Sequence, residues 1–193
     1  MSKVNAHPKK SIEHGFVTKE DVLMGTIIHY FQKNQNDIYR IIPIINKDNK
    51  TNISLRLLDW FVTNYCRHNM VEYKHKGQSF NVYMSYKGQL SAHSKKLFDP
   101  FKRRDIINFQ YDKLNPNKSI QTTVGQLNFF TWMLSNGILD YVINNLKPII
   151  KEMNEYSKHK KQRQQKKASI TKHTKAKPIS PIFSYQPIVL SFD

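Results

Sequence analysis

From Tyr156 to Phe192 the chain contains no acidic residue, while Lys158, Lys160, Lys161, Arg163, Lys166, Lys167, Lys172, Lys175 and Lys177 fall inside that stretch. The run KHKKQRQQKKASITKHTKAKP within it has almost no large apolar side chain. Such a segment buries too little surface to offset its ordering entropy, so 157–178 is expected to be a disordered basic tail. Residues 1–15 read as a similarly flexible terminus. Between them, 16–156 alternates apolar-periodic segments with turn signals, the pattern of one folded domain, and no internal repeat is visible. Past the tail, 179–193 turns apolar again.

Composition supports a folded core and a polyanionic partner. Of the 193 residues, 39% are hydrophobic and 12% aromatic, which is enough for a buried core at this length. Lys plus Arg number 31 against 14 Asp plus Glu, a formal net charge of +17. Abundant Lys, Asn, Ile and Tyr with scarce Gly and Ala reflect AT-rich codons, so part of the lysine excess is genomic. The shortage of acids is not, and the resulting field attracts phosphate. The lone Cys66 has no disulfide partner, no secretion signal opens the chain, and no apolar run approaches the roughly 20 residues of a membrane span. The expected setting is intracellular.

Coarse periodicity predicts an α+β fold. Thr18 with Asp21 three residues on starts a helix that runs to about Lys33, with Leu23, Ile27, Tyr30 and Phe31 on one stripe. IYRIIPII, β-branched and interrupted by Pro43, reads as an edge strand or extended segment. SLRLLDWFVTNYCRHN at 54–69 is a second helix, with Asn52 as its cap. Val71 and Tyr73, then Phe80, Val82, Met84 and Tyr86, spell a β-hairpin around Lys76-Gly77-Gln78. The stretch 90–114 is mixed. Residues 122–156 form two helices or a kinked pair, broken at Asn136-Gly137 and Pro148. A helix followed by a basic hairpin is compatible with a winged helix-turn-helix, although other small α+β folds share that order.

The candidate contacts to nucleic acid lie in three places. HSKKLFDPFKRRD gathers Lys95, Lys96, Lys102, Arg103 and Arg104 around Phe98 and Phe101, a combination suited to phosphate contact and base stacking. The alternative is that both phenylalanines anchor a Pro-centred turn in the core. Lys74 and Lys76 make the hairpin turn cationic. In the tail, Lys158, Lys160, Lys161, Arg163, Lys166 and Lys167 would give salt-dependent binding without sequence choice, or else serve for solubility or nuclear import. Ile182, Phe183, Tyr185, Ile188 and Leu190 in the last segment are expected to dock, either on the chain's own domain or on a partner protein.

Signals for catalysis are weak. The eight histidines are scattered, Cys66 and His68 lack a second ligand pair for zinc, and there is no phosphate-binding Gly-rich loop or nucleophile elbow. Asp99, Asp105 and Asp112 stand singly. The expectation is a non-enzymatic protein without metal or cofactor.

At SLRLLDWFVTNYCRHN, FNVYMSYKGQLSAHSKKLFDPFKRRD and TTVGQLNFFTWMLSNGILDYVINNL, covering 54–146, the chain resembles a family of small basic proteins of nucleocytoplasmic large DNA viruses, including giant viruses of amoebae. That resemblance implies no activity and no site residue. It agrees with the AT-rich composition and with a polyanionic partner, since such viruses build cytoplasmic factories and package DNA with basic proteins. The sequence thus predicts a viral nucleic-acid-binding protein, with DNA favoured over RNA, located in the viral factory, the virion or the nucleus. The alternative is a scaffold protein of the virion or factory that docks through its last segment.

Overall fold

Thr18 starts the first helix by capping it: its Oγ1 accepts the Asp21 amide at 3.2 Å, and the Asp21 carboxylate accepts the Thr18 amide at 3.0 Å. The computed structural model describes residues 17–48, 51–103, 105–112, 115 and 117–173. The chain divides into two units, Met1–Met153 and Asn154–Asp193. In order, the elements are α1 (Lys19–Lys33), α2 (Gln35–Ile45), α3 (Leu55–Trp60), a π-helical stretch (Phe61–Tyr65), α4 (Cys66–His68), β1 (Glu72–His75), β2 (Gln78–Asn81), α5 (Val82–Leu97), β3 (Ile107–Gln110), β4 (Ser119–Thr122), α6 (Val124–Ser135), α7 (Ile138–Asn144) and α8 (Leu146–His173). The fold is α+β, helices with two separate antiparallel two-stranded sheets.

Several local expectations are corrected. IYRIIPII is not an edge strand: it lies in α2, where Ile38, Ile41, Ile44 and Ile45 are all buried. Their spacing is helical, and each buried isoleucine contributes about 1.5–3 kcal/mol, against a penalty of about 3 kcal/mol for a proline inside a helix. The second helix is capped by Ser54, whose Oγ accepts the Leu57 amide at 3.1 Å, and not by Asn52. The hairpin forms with a two-residue turn in which Lys76 and Gly77 both have positive φ, 50° and 81°. That is the geometry of a type I′ turn. Its second strand ends at Asn81, because the Asn81 side chain accepts the Met84 amide at 3.0 Å and starts α5. Val82, Met84 and Tyr86 are therefore helical. The mixed stretch supplies β3, which pairs with β4 through Ile107↔Thr122 and Phe109↔Ile120.

The core is organised by α6. From Val124 to Leu134 all its residues but Thr131 are buried. A helix that is apolar all round belongs at the centre, and α1, α5 and α7 pack on it. Gly137, at φ 70°, turns the chain from α6 into α7, as expected. The second break falls at Asn145 and not at Pro148, which sits in the first turn of α8, where a missing amide hydrogen leaves no helical bond unmade. No helix among the described residues is long and apolar enough to cross a membrane.

In the second unit, α8 continues through His173, where composition predicts an unordered run. Lys, Gln, Arg and Ala are strong helix formers, and no Gly or Pro interrupts them before Pro178. Residues 174–178 and the apolar segment 179–193 lie outside the described residues, as do residues 1–15.

Two substitutions test how the core holds the end of α5. A Cβ on Gly125 would stand 2.7 Å from the Lys96 carbonyl oxygen, a backbone atom with little room to move. Gly125→Ala is expected to lower stability by about 1–3 kcal/mol in denaturant unfolding. Ser94 adopts φ 56°, ψ 166° inside α5, a conformation suited to glycine. Ser94→Gly is expected to raise stability by about 1 kcal/mol.

Candidate nucleic-acid interface

The basic loop rests on polar atoms of α6. Gln126 Nε2 donates to the Pro100 carbonyl at 2.6 Å while its Oε1 accepts the Thr122 hydroxyl at 2.8 Å. Asn128 Nδ2 donates to the Leu97 carbonyl at 2.8 Å. The Asp99 amide donates to the Gly125 carbonyl at 3.3 Å. Phe98 is sealed in the core, with ring centroids 5.4 Å from both Phe129 and Trp132. Of the two phenylalanines, then, Phe98 is an anchor and has no face for a base. Phe101 is only half-buried.

With the backbone fixed in this way, Lys95, Lys96, Lys102 and Arg103 emerge as exposed side chains from one segment. Lys96 lies 3.4 Å from the Glu20 carboxylate. Arg103 lies 3.6 Å from Asp99, with its guanidinium 4.5 Å above the Phe101 ring. The Lys96 pair is exposed at both ends and contributes about 0–1 kcal/mol, so that cation is readily exchanged to a phosphate. Partial desolvation and repulsion from Lys47 hold the Lys102 ammonium below the ordinary lysine range. Arg104 lies outside the described residues. Lys74 and Lys76 are exposed on the separate β1–β2 hairpin.

Lys158, Lys160, Lys161 and Arg163 are all exposed on α8. Helical spacing places Lys158 with Lys161, and Lys160 with Arg163, one turn apart. Tyr156, His159, Lys160 and Arg163 line a shallow cavity there. Lys166 and Lys167 continue the same helix. Ile182, Phe183, Tyr185, Ile188 and Leu190 lie outside the described residues. Sequence reasoning missed two cations, Lys47 and Arg56, which line a cavity with Phe101. No periodicity marks them, because the cavity draws on three separate segments.

Beneath the loop, burial raises the Asp59 carboxyl above its usual value, and the nearby Asp99 charge raises it further, while Arg103 and Lys95 oppose the shift. Burial and the same two carboxylates push the Tyr86 hydroxyl up to about 12. Cys66 is buried, and desolvation raises its thiol. Among the described residues, no group of three or more His, Cys, Asp or Glu side chains is placed to hold a metal ion. A carboxyl that holds its proton more firmly when folded favours the fold below its unfolded value, about 3.9. That contribution is lost as pH rises through the folded value. Asp59→Asn is therefore expected to be more stable than the parent at pH 7, with the advantage shrinking towards pH 4. Denaturant unfolding at the two pH values checks this, and a gap independent of pH would contradict it.

Comparison with known proteins agrees with the viral resemblance. The chain is 36% identical over 160 residues to the uncharacterized protein L507 of Acanthamoeba polyphaga mimivirus, a giant virus, and the alignment covers 80% of this chain. It spans 61% of that relative's length, so the kinship carries no sign of a small protein. No solved structure matches. The profile of a family of unknown function, DUF7197, matches residues 4–188, and by that extent the chain belongs to DUF7197.

Proposed function

We propose that this protein is a non-enzymatic, giant-virus nucleic-acid-binding protein that holds phosphate backbones largely without sequence choice. The observation that carries the reading is the run Lys158–Arg163 on α8, four exposed cations within less than two helical turns, followed by a sequence without acids to Phe192. Duplex DNA presents one negative charge per about 1.7 Å of axis, so a helix of this kind meets phosphate wherever it lies. Lys95, Lys96, Lys102 and Arg103 add a second contact, fixed by α6, and Lys74 and Lys76 at the hairpin turn a third. Genome packaging, transcription and viral-factory organisation would all use such contacts, in the host cytoplasm, the virion or the nucleus.

Salt titration of binding to random duplex and single-stranded DNA is the test. Replacing Lys158, Lys160, Lys161 and Arg163 by Gln in the full chain is expected to weaken binding. For duplex DNA it should also reduce the slope of log K against log salt by up to about 3.6, roughly 0.9 for each phosphate that is no longer neutralised. An unchanged slope would remove α8 from the interface, and a parent protein that ignores both nucleic acids near physiological salt would overturn the reading.

A further inference from the structure

The cavity beside the basic loop has a composition of its own. It measures about 450 Å3, within the range of small-molecule sites. Its walls combine apolar surface from Ile44, Ile53, Leu55 and Phe101 with the cations Lys47 and Arg56 and the carboxylate of Asp48. Neither Lys47 nor Arg56 has an ion-pair partner among the described residues.

We infer that this cavity binds one nucleotide, with its phosphate held by Lys47 and Arg56 and its base against the apolar wall that includes Phe101. The inference deepens the nucleic-acid reading above and rests on it for the source of the nucleotide. The mixed lining disfavours simpler ligands. Inorganic phosphate would use the two cations but leave the apolar surface empty. An uncharged nucleoside would fill the apolar part and leave both cations without an anion. A nucleotide satisfies both ends. A third cation stands near Lys47: the Lys102 ammonium, next to Phe101 in sequence, is held below the ordinary lysine range first by desolvation and then by the Lys47 charge, which a bound phosphate would offset. Arginine grips phosphate with a rigid two-pronged fork, and lysine acts as a point charge.

Calorimetric titration of the full chain with adenosine 5′-monophosphate, adenosine and inorganic phosphate tests the site. Saturable one-to-one binding of the monophosphate is expected, with adenosine and phosphate at least tenfold weaker. Arg56→Gln and Lys47→Asn should each weaken the monophosphate at least tenfold. Both residues are exposed, and Asn tolerates the positive φ of 58° at position 47, so both variants should unfold at the parent's denaturant midpoint. The α8 variant with four Gln substitutions should bind the monophosphate as the parent does. Competition by a short single-stranded oligonucleotide assigns the site to a unit of a strand, and absence of competition assigns it to a free nucleotide. No binding of the monophosphate, or equal binding by the parent, Arg56→Gln and Lys47→Asn, would overturn the inference. Binding of the monophosphate without any DNA shift would keep the cavity and remove the α8 reading; a DNA shift without monophosphate binding would do the reverse.

Discussion

Two buried amides, Gln126 and Asn128, fix the backbone of the loop that carries Lys95, Lys96, Lys102 and Arg103. They stand on a helix that is otherwise apolar, and they spend their donors on the carbonyls of Pro100 and Leu97. Without its bond the Pro100 carbonyl would be buried unpaired, at about 1–3 kcal/mol. Gly125 allows the approach, because any side chain there would strike the Lys96 backbone. Close contact, paired polar atoms and the Phe98 anchor together make the backbone from Lys95 to Arg103 part of the core's framework while its four cations face water.

This arrangement differs in kind from the charge on α8. On the loop, cations are held in register by the fold, some of them leaning on neighbouring carboxylates, and Asp59 and Asp99 beneath them temper the local field. On α8 the cations are spaced only by helical geometry and stand exposed. The first pattern suits a contact that fixes where a polyanion lies; the second suits one that adds attraction without fixing anything. Phosphate contacts in nucleic-acid complexes commonly serve both ends.

Local rules are legible in the sequence where a few adjacent residues decide the outcome. The Thr18 capping box, the Lys76-Gly77 turn and the Asn136-Gly137 break all follow from neighbouring side chains. Where tertiary burial decides, the local signal misleads. The isoleucines of α2 look like a strand until the core claims four of them, and Asn81 ends a strand that the alternation of Phe80, Val82, Met84 and Tyr86 prolongs. The basic loop is legible as a cluster of charge, but its attachment to α6 is not, since Gln126 and Asn128 lie far along the chain from the carbonyls they bind. Lys47 and Arg56 carry no sequence signal for the same reason: only the fold brings them beside Phe101.

The π-helical stretch from Phe61 to Tyr65 interrupts an otherwise α-helical run from Leu55 to His68. A π turn amounts to one residue inserted into an α-helix, and each residue of a helix rotates the chain by about 100°. Phe61 and Val62 face the core at the start of the widened turn, and Cys66 faces it after. Loss of a single residue here would restore ordinary winding and swing Cys66, the β1–β2 hairpin and its cationic tip about a quarter-turn away from their present direction. The length of this stretch, more than the identity of any one side chain in it, aims the hairpin, so insertions and deletions between 61 and 65 should be tolerated far less well than substitutions.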